Sequence, residues 1–439
     1  MRRSRLAIGL VGTALLVIVA LCVLTALNTY GWMQSLGDVR FGGILNTSAQ
    51  VTETRSVTPA GQTRLRLSNE FGDIALLPAD GETLVIEMVK TGWGADEAEA
   101  QAVAEGLTVQ ILETAGEISI SHEGVRQELG FFTSQGGVNR VDFTVRVPAG
   151  LDVVVEGHNG ELLVSGLETA ADLTMLFGGM TVRDHTGALV IESSNGQVTL
   201  ENIDAGASDI AVDLRFGNAE VKDVRGANLQ FTNANGNLVF DRLTLRGELR
   251  IENGFGQTTL RESTAASLLL TSRNGNVEVR DTRISGRSEV SNDFGNTVLV
   301  GLSASETVVN TRNGEVTVEG ASGALTASVD FGGLTITGAQ DVALNITAEN
   351  STIRFSGSLA AGANHRITNR FGEITLNLPA SSAFDLDFST AFGNISTDFA
   401  VTVQGEIDPQ ELQGSINGGG NTLTVSNENG NIHLNTLTP

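Results

Sequence analysis

From residue 151 onward, apolar and polar residues alternate in short runs, and nearly every run ends in a Phe or Asn followed by Gly. In one run Ile210, Val212, Leu214 and Phe216 alternate before Gly217, and Ala219, Val221 and Val224 follow. In another, Leu268, Leu270, Ser272 and Asn274 precede Gly275, and Val277 and Val279 follow. A period of two predicts strands with one buried face. The Phe and Asn markers share the parity of the apolar residues, so both are expected to point inward. The next apolar residue comes three positions later, not two. That change of phase at Gly predicts a bend joining two short strands. Each unit then reads as strand, Gly bend, strand and variable loop.

The Phe markers are Phe71, Phe177, Phe216, Phe255, Phe294, Phe331, Phe371 and Phe392; the Asn markers are Asn159, Asn195, Asn235, Asn274, Asn313, Asn350 and Asn429. All precede Gly except Asn350, which precedes Ser351, and between 159 and 392 they recur every 18 to 21 residues. A single unit cannot bury its apolar face, but stacked units can, at about 4.8 Å per coil. The predicted fold is therefore all-β, a parallel β-solenoid of about fifteen 19-residue units. A propeller blade would need about 40 residues. Phe and Asn alternate from Asn159 to Phe371. Stacking like on like, with each inward Asn bonding to the next, favours a coil of two units over a coil of one.

Outside the repeats, the pattern divides the chain further. Residues 34–57 lack periodicity and read as a linker. Residues 58–150 form an N-terminal β region with one short acidic helix between Gly94 and Gly106, expected to cap the solenoid of 151–439. The segment 399–420 breaks the repeat and is expected to be a loop or cap. Residues 1–33 hold Arg2, Arg3 and Arg5 and then 22 uncharged, mostly apolar positions from Leu6 to Leu27. That length crosses a bilayer, and the arginines place its N-terminus in the cytoplasm. The expectation is a single-pass, uncleaved transmembrane helix in the cell membrane with the solenoid outside. A cleaved signal peptide is the rival reading.

The net charge of −24, from 51 acidic and 27 basic residues, repels nucleic acid. The single Cys22 leaves no disulfide scaffold and no Cys-based zinc site. His122, His158, His185, His365 and His433 lack metal-ligand spacing and read as surface residues. Arg183, Lys222 and Arg261, each followed by an acid (Asp184, Asp223, Glu262), form a charged stripe. That stripe is the one feature suggesting a polysaccharide-active enzyme, and a solvated, charge-paired strand face accounts for it better. Gly418-Gly419-Gly420-Asn421 reads as a turn. No catalytic residue, cofactor or metal site is expected.

The Phe-Gly and Asn-Gly repeats resemble a family of bacterial β-strand-repeat proteins, as does the run Val145-Arg146-Val147-Pro148-Ala149-Gly150-Leu151 leading into Asn159-Gly160. This family is classed as a domain of unknown function and labelled "putative adhesin", and it is related to the head domains of auto-transporter adhesins. The resemblance covers roughly 58–439. It implies a β-solenoid and brings no catalytic residues. The chain departs from the auto-transporter plan in showing no C-terminal membrane barrel, its last residues continuing the repeat. The expected function is a membrane-anchored, adhesin-like binding module of the cell envelope, with a protein or glycan ligand on the solenoid face. The alternatives are a polysaccharide-active β-helix enzyme and a scaffold that stacks end to end.

Overall fold

The structure is a computed structural model and describes residues 47–123, 137–403 and 408–437. The apolar segment 6–27, Cys22 and the first part of the expected linker lie outside the described residues. Among the described residues no helix is long and apolar enough to cross a membrane.

The chain winds into a parallel β-solenoid of about 11 turns. Each coil has three sides. A long strand such as Ile210–Phe216 forms the first, and a bend at Gly217 leads to the second, Ala219–Gly226. A residue in the left-handed region, here Asp223 at φ 54°, turns the chain onto a short third side. Coils repeat every 18 to 21 residues, and each strand pairs in parallel with its equivalent in the next coil. Leu214 opposes Asn233, and Phe216 opposes Asn235. Phe255 opposes Asn274, and Asn274 opposes Phe294. The coil is thus one unit long. The two-unit coil, in which Phe would oppose Phe, is overturned. The expected count of about fifteen units gives way to about 11 turns.

The interior is a continuous column of Leu, Ile and Val, with Phe231 and Phe240 fully buried edge to face at 5.2 Å. Burying each such side chain stabilises the fold by about 1.5–3 kcal/mol. The markers lie outside this column, against the parity expectation. Phe177, Phe216, Phe255, Phe294, Phe331, Phe371 and Phe392 are exposed, from 39% to 69%, and Phe71 is half-buried. Asn195, Asn235, Asn274, Asn350 and Asn429 are exposed, and Asn159 and Asn313 are half-buried. The cause lies in the residue before each marker. Arg215 and Ala234 have no cross-strand partner, so the pairing skips from Leu214↔Asn233 to Phe216↔Asn235. The bend begins there, and the marker swings outward before Gly completes the turn.

The inward polar position is two residues earlier. Asn69, Asn233, Asn253, Asn292, Asn369 and Asn427 occupy it and are at most 3% exposed. The amide of Asn292 donates to the carbonyls of Gly275 and Gly295, at 3.0 Å each. Asn253 donates likewise to Gly236 and Gly256, at 3.2 Å each. Buried Asn residues do recur in the stack, interrupted by residues such as Leu214, Ser272 and Val329. They bond to the backbone of the Gly corner and are displaced from the markers by two residues.

The ends are built differently. Near the N-terminus the elements are β1 (Thr47–Val57), β2 (Arg64–Phe71), β3 (Ile74–Pro78), β4 (Leu84–Gly94), α1 (Glu97–Gly106), β5 (Gln110–Glu113), β6 (Glu117–His122), β7 (Arg140–Val147), β8 (Asp152–Asn159) and β9 (Leu162–Ser165). β8 and β9 join the stack against β2 and β3. β6 and β7 then extend it, and β5 and β4 add antiparallel strands beyond them. β1 pairs with β4 over its whole length, so residues 47–57 are a strand and not a linker. The sequence predicts α1 correctly. Asp96 caps it by accepting from the Glu99 N–H at 2.9 Å, and Ala100 and Ala104 bury against β4.

At the other end the chain also leaves simple order. The strand Thr422–Asn429 sits between His365–Phe371 and Phe384–Phe392, parallel to both. The segment expected as a loop or cap is a cap: Glu411–Ile416 runs antiparallel on Phe384–Phe392 and on Val401–Val403.

Candidate functional site: the outer corner and the C-terminal groove

Because the bend starts before each marker, the Phe and Asn side chains form one external column along the first corner. Its register is continuous: Asn159 opposes Phe177, which opposes Asn195, which opposes Phe216. At the far end Asn350 opposes Phe371, and Asn429 lies between Phe371 and Phe392. Aromatic rings therefore recur every second coil, about 9.6 Å apart, with an amide between each pair. A second external ladder supports the corner two residues beyond the markers. The Asn218 Oδ1 accepts from the Asn237 N–H, and the Asn237 Oδ1 from the Gln257 N–H, both at 2.9 Å.

Another outward column runs along the first face, three residues before the markers. In the first coils it mixes acids with threonines: Glu156, Thr174, Glu192, Asp213, Thr232 and Glu252 stand in register. From Thr271 it changes character. Thr271 opposes Ser291, Ser291 opposes Asn310, and Asn310 opposes Ser328. The column continues through Thr347 and Thr368 to Ser426 and Ser389, with no charged member. Asn310 donates to the Ser291 hydroxyl at 3.3 Å. Over its last coils the cap segment at Asp408, Gln410 and Glu411 rises beside it, enclosing an open groove of about 870 Å³.

The charged stripe is on the second face. Arg183, Glu201, Lys222 and Asp241 are in register, followed by Arg261. Asp184, Asp223 and Glu262 sit on the second corner with φ between 48° and 54°, one per coil or every second coil. Arg242 bonds to Asp223 at 2.7 Å and also to Asp241. Hydrogen bonding to Arg242 holds the Asp223 carboxyl below the ordinary carboxylate range. The acids are dispersed, Arg242 ties Asp223 and Asp241, Arg261 pairs with Glu278, and no group of three His, Cys, Asp or Glu among the described residues could hold a metal. This geometry matches a charge-paired strand face.

The histidine expectation fails in part. His122, His185 and His365 are at most 2% exposed. His185 occupies an inward position opposite Ile203. Burial pushes its pKa below the ordinary value; the Ala188 backbone opposes this without reaching hydrogen-bond geometry at either ring nitrogen. Burial likewise lowers His365. Its Nδ1 accepts from the Leu344 N–H at 3.2 Å, so Nε2 carries the proton and donates to the Ala360 carbonyl at 3.0 Å. Gly418, Gly419 and Gly420 all have positive φ and form the expected turn.

Fold and surface define a class: a non-globular repeat scaffold presenting long, regular columns of side chains. Within that class the chain belongs to the Toastrack DUF4097 family, whose pattern matches residues 96–300 and 287–435. This agrees with the resemblance carried by the Asn-Gly and Phe-Gly repeats. No curated protein matches the chain. Among solved structures it is similar to a "putative cell adhesion protein" from Clostridium sporogenes ATCC 15579, at 9% identity and a TM-score of 0.18, covering 89% of this chain and 100% of that one. A "putative adhesin" from Bacteroides fragilis NCTC 9343 matches at 12% identity and a TM-score of 0.17, over 74% and 97% of the two chains. A "putative lipid binding protein" from Parabacteroides distasonis ATCC 8503 matches at 11% identity and 0.26, over 72% and 96%. Likenesses at these TM-scores carry no argument about function.

Proposed function

We propose that the protein is a non-enzymatic binding module of the bacterial cell envelope, held to the membrane by the apolar segment 6–27 with its solenoid outside the cytoplasm. The observation that carries the binding role is the exposed Phe/Asn column. Water-exposed Phe rings repeated at a fixed interval add nothing to the core, and regular apolar exposure of this kind is a feature of contact surfaces. Against an enzymatic role, the charged groups of the second face are spread along it instead of converging on a cleft, and Arg242 ties up Asp223 and Asp241. Against end-to-end stacking, short antiparallel strands cover both ends of the first face, a common device for blunting sheet edges. The anchoring rests on the sequence: three arginines before a span long enough to cross a bilayer.

Two measurements test this reading. The full-length protein in detergent micelles is expected to bind isolated bacterial envelopes. The triple variant Phe216→Ser, Phe255→Ser, Phe294→Ser is expected to keep its circular dichroism spectrum and melting profile but lose that binding. Envelope binding unchanged in the triple variant would remove the column from the function. For topology, protease added to intact spheroplasts is expected to digest the solenoid, and its protection would refute the external placement.

A further inference from the structure

We infer that the C-terminal half of the first face binds a neutral, extended polysaccharide chain lying along the solenoid axis, with one end of the chain held in the groove under the cap. The inference rests on the binding-module reading and assigns it a ligand class.

Three features converge. The column from Thr271 to Ser389 offers an uncharged hydroxyl or amide at every coil, in a chain where acids outnumber bases 51 to 27. The same column carries Glu156, Glu192 and Asp213 earlier in the stack, so its change to Ser, Thr and Asn is local. Parallel to it runs the Phe/Asn column, with a ring every second coil. The coil rise of about 4.8 Å is close to the rise per sugar of an extended β-1,4-linked chain. Each sugar would meet one hydroxyl or amide, and each second sugar would lie nearest a ring. The Phe371 face is already covered by the Arg370 guanidinium, 5.5 Å from its centroid, leaving Phe294, Phe331 and Phe392 to stack on C–H surfaces. The groove supplies the third feature, with Thr347, Thr368, Ser426 and Ser389 on one side and Asp408 and Gln410 on the other.

Charge selects among glycans. Glu349, Glu411 and Glu428 add to Asp408 in the groove, and Arg370, the one base there, pairs with Glu428 at 3.0 Å. Such a site repels polyanionic sugars, while its carboxylates accept hydrogen bonds from neutral sugar hydroxyls. A peptide added as a strand fits less well, because the backbone of this face already bonds within the stack. A second copy of the chain would bring its own net charge of −24 against this surface.

The test uses full-length protein in micelles and calorimetric titration with cellohexaose, chitohexaose and polygalacturonate. At least one of the two neutral hexasaccharides is expected to bind, and polygalacturonate is not. Thr368→Glu and Ser426→Glu should each weaken that binding at least tenfold without lowering the melting temperature. Glu156→Ser, at the opposite end of the column, should leave it unchanged. If neither hexasaccharide binds, if polygalacturonate binds better, or if both groove variants bind as the parent does, the inference is overturned. Self-association of the protein that Thr368→Glu abolishes, seen by sedimentation, would overturn it in favour of a second copy. Envelope binding that is lost in the triple Phe variant while both hexasaccharides fail would overturn the glycan assignment and leave the binding-module reading standing.

Discussion

At the scale of single residues, the buried Asn residues show how a correct physical idea can land on the wrong side chain. An inward, bonded Asn recurring along the stack is legible in the repeat. Its address is not, because the sequence does not reveal that the bend begins one residue before the marker. The consequence for stability is direct. Asn292→Leu removes the buried donor to two half-buried Gly carbonyls and is expected to cost about 1–3 kcal/mol in denaturant melts. Asn274→Ser, at an exposed marker, should stay within about 0.5 kcal/mol. The buried histidines add a pH dependence. His185 and His365 have depressed pKa values in the folded state, so the unfolded chain binds more protons as pH falls through the ordinary value of 6.5. The stability they permit is present above that value and lost below it. Thermal midpoints should therefore fall between pH 7.5 and pH 5, by the ordinary histidine range, and fall less in His185→Leu. An equal slope in both proteins would refute the assignment. Nothing in a lone His between Asp184 and Thr186 signals burial; only the phase of the third side does.

At the scale of elements, the strands of the repeat were legible because their inward residues are apolar and strictly alternate, as in Ile210, Val212 and Leu214. β1 was not, because none of its residues is buried; its backbone ladder to β4 and the Glu53–Lys90 ion pair hold it. The same limit applies to Glu411–Ile416, where Gly414 and Ser415 interrupt any apolar pattern. The Gly corners were legible as bends, and the structure shows why Gly fills all but the corner at Ser351 among the markers. A Cβ built on Gly217 would lie 1.8 Å from the Gly196 carbonyl oxygen, at φ +152°. Gly217→Ala must push two coils apart, and a loss exceeding about 1 kcal/mol is expected. Gly81→Ala meets nothing within 4 Å and should melt like the parent.

At the scale of the whole molecule, each coil touches chiefly its neighbours, so stability is close to a sum over coils and interfaces. Excising residues 217–255 removes two coils and keeps the Phe/Asn alternation, because Phe216 is then followed by Gly256 and later by Asn274. That variant should fold and be shorter by about 9.6 Å in solution scattering. Excising 217–235 removes one coil and brings Phe216 against Phe255. A shortening of only about 4.8 Å in the first variant would contradict the one-unit register. The sequence revealed the winding and its repeat. It did not reveal the order of strands at the ends, because parallel ladders accept any strand of matching pattern and the sequence pattern does not record which gap is open.

The strand Thr422–Asn429 occupies such a gap, between two strands that precede it in the chain. It works as a keystone. Until these late residues have left the ribosome, His365–Phe371 and Phe384–Phe392 each present an unfilled edge. A polypeptide emerging in order can close its first coils early, yet it cannot finish the far end until its final segment arrives. A message cut short near residue 420 would therefore yield a rod with an adhesive slot, a form that proteases could distinguish from the finished product.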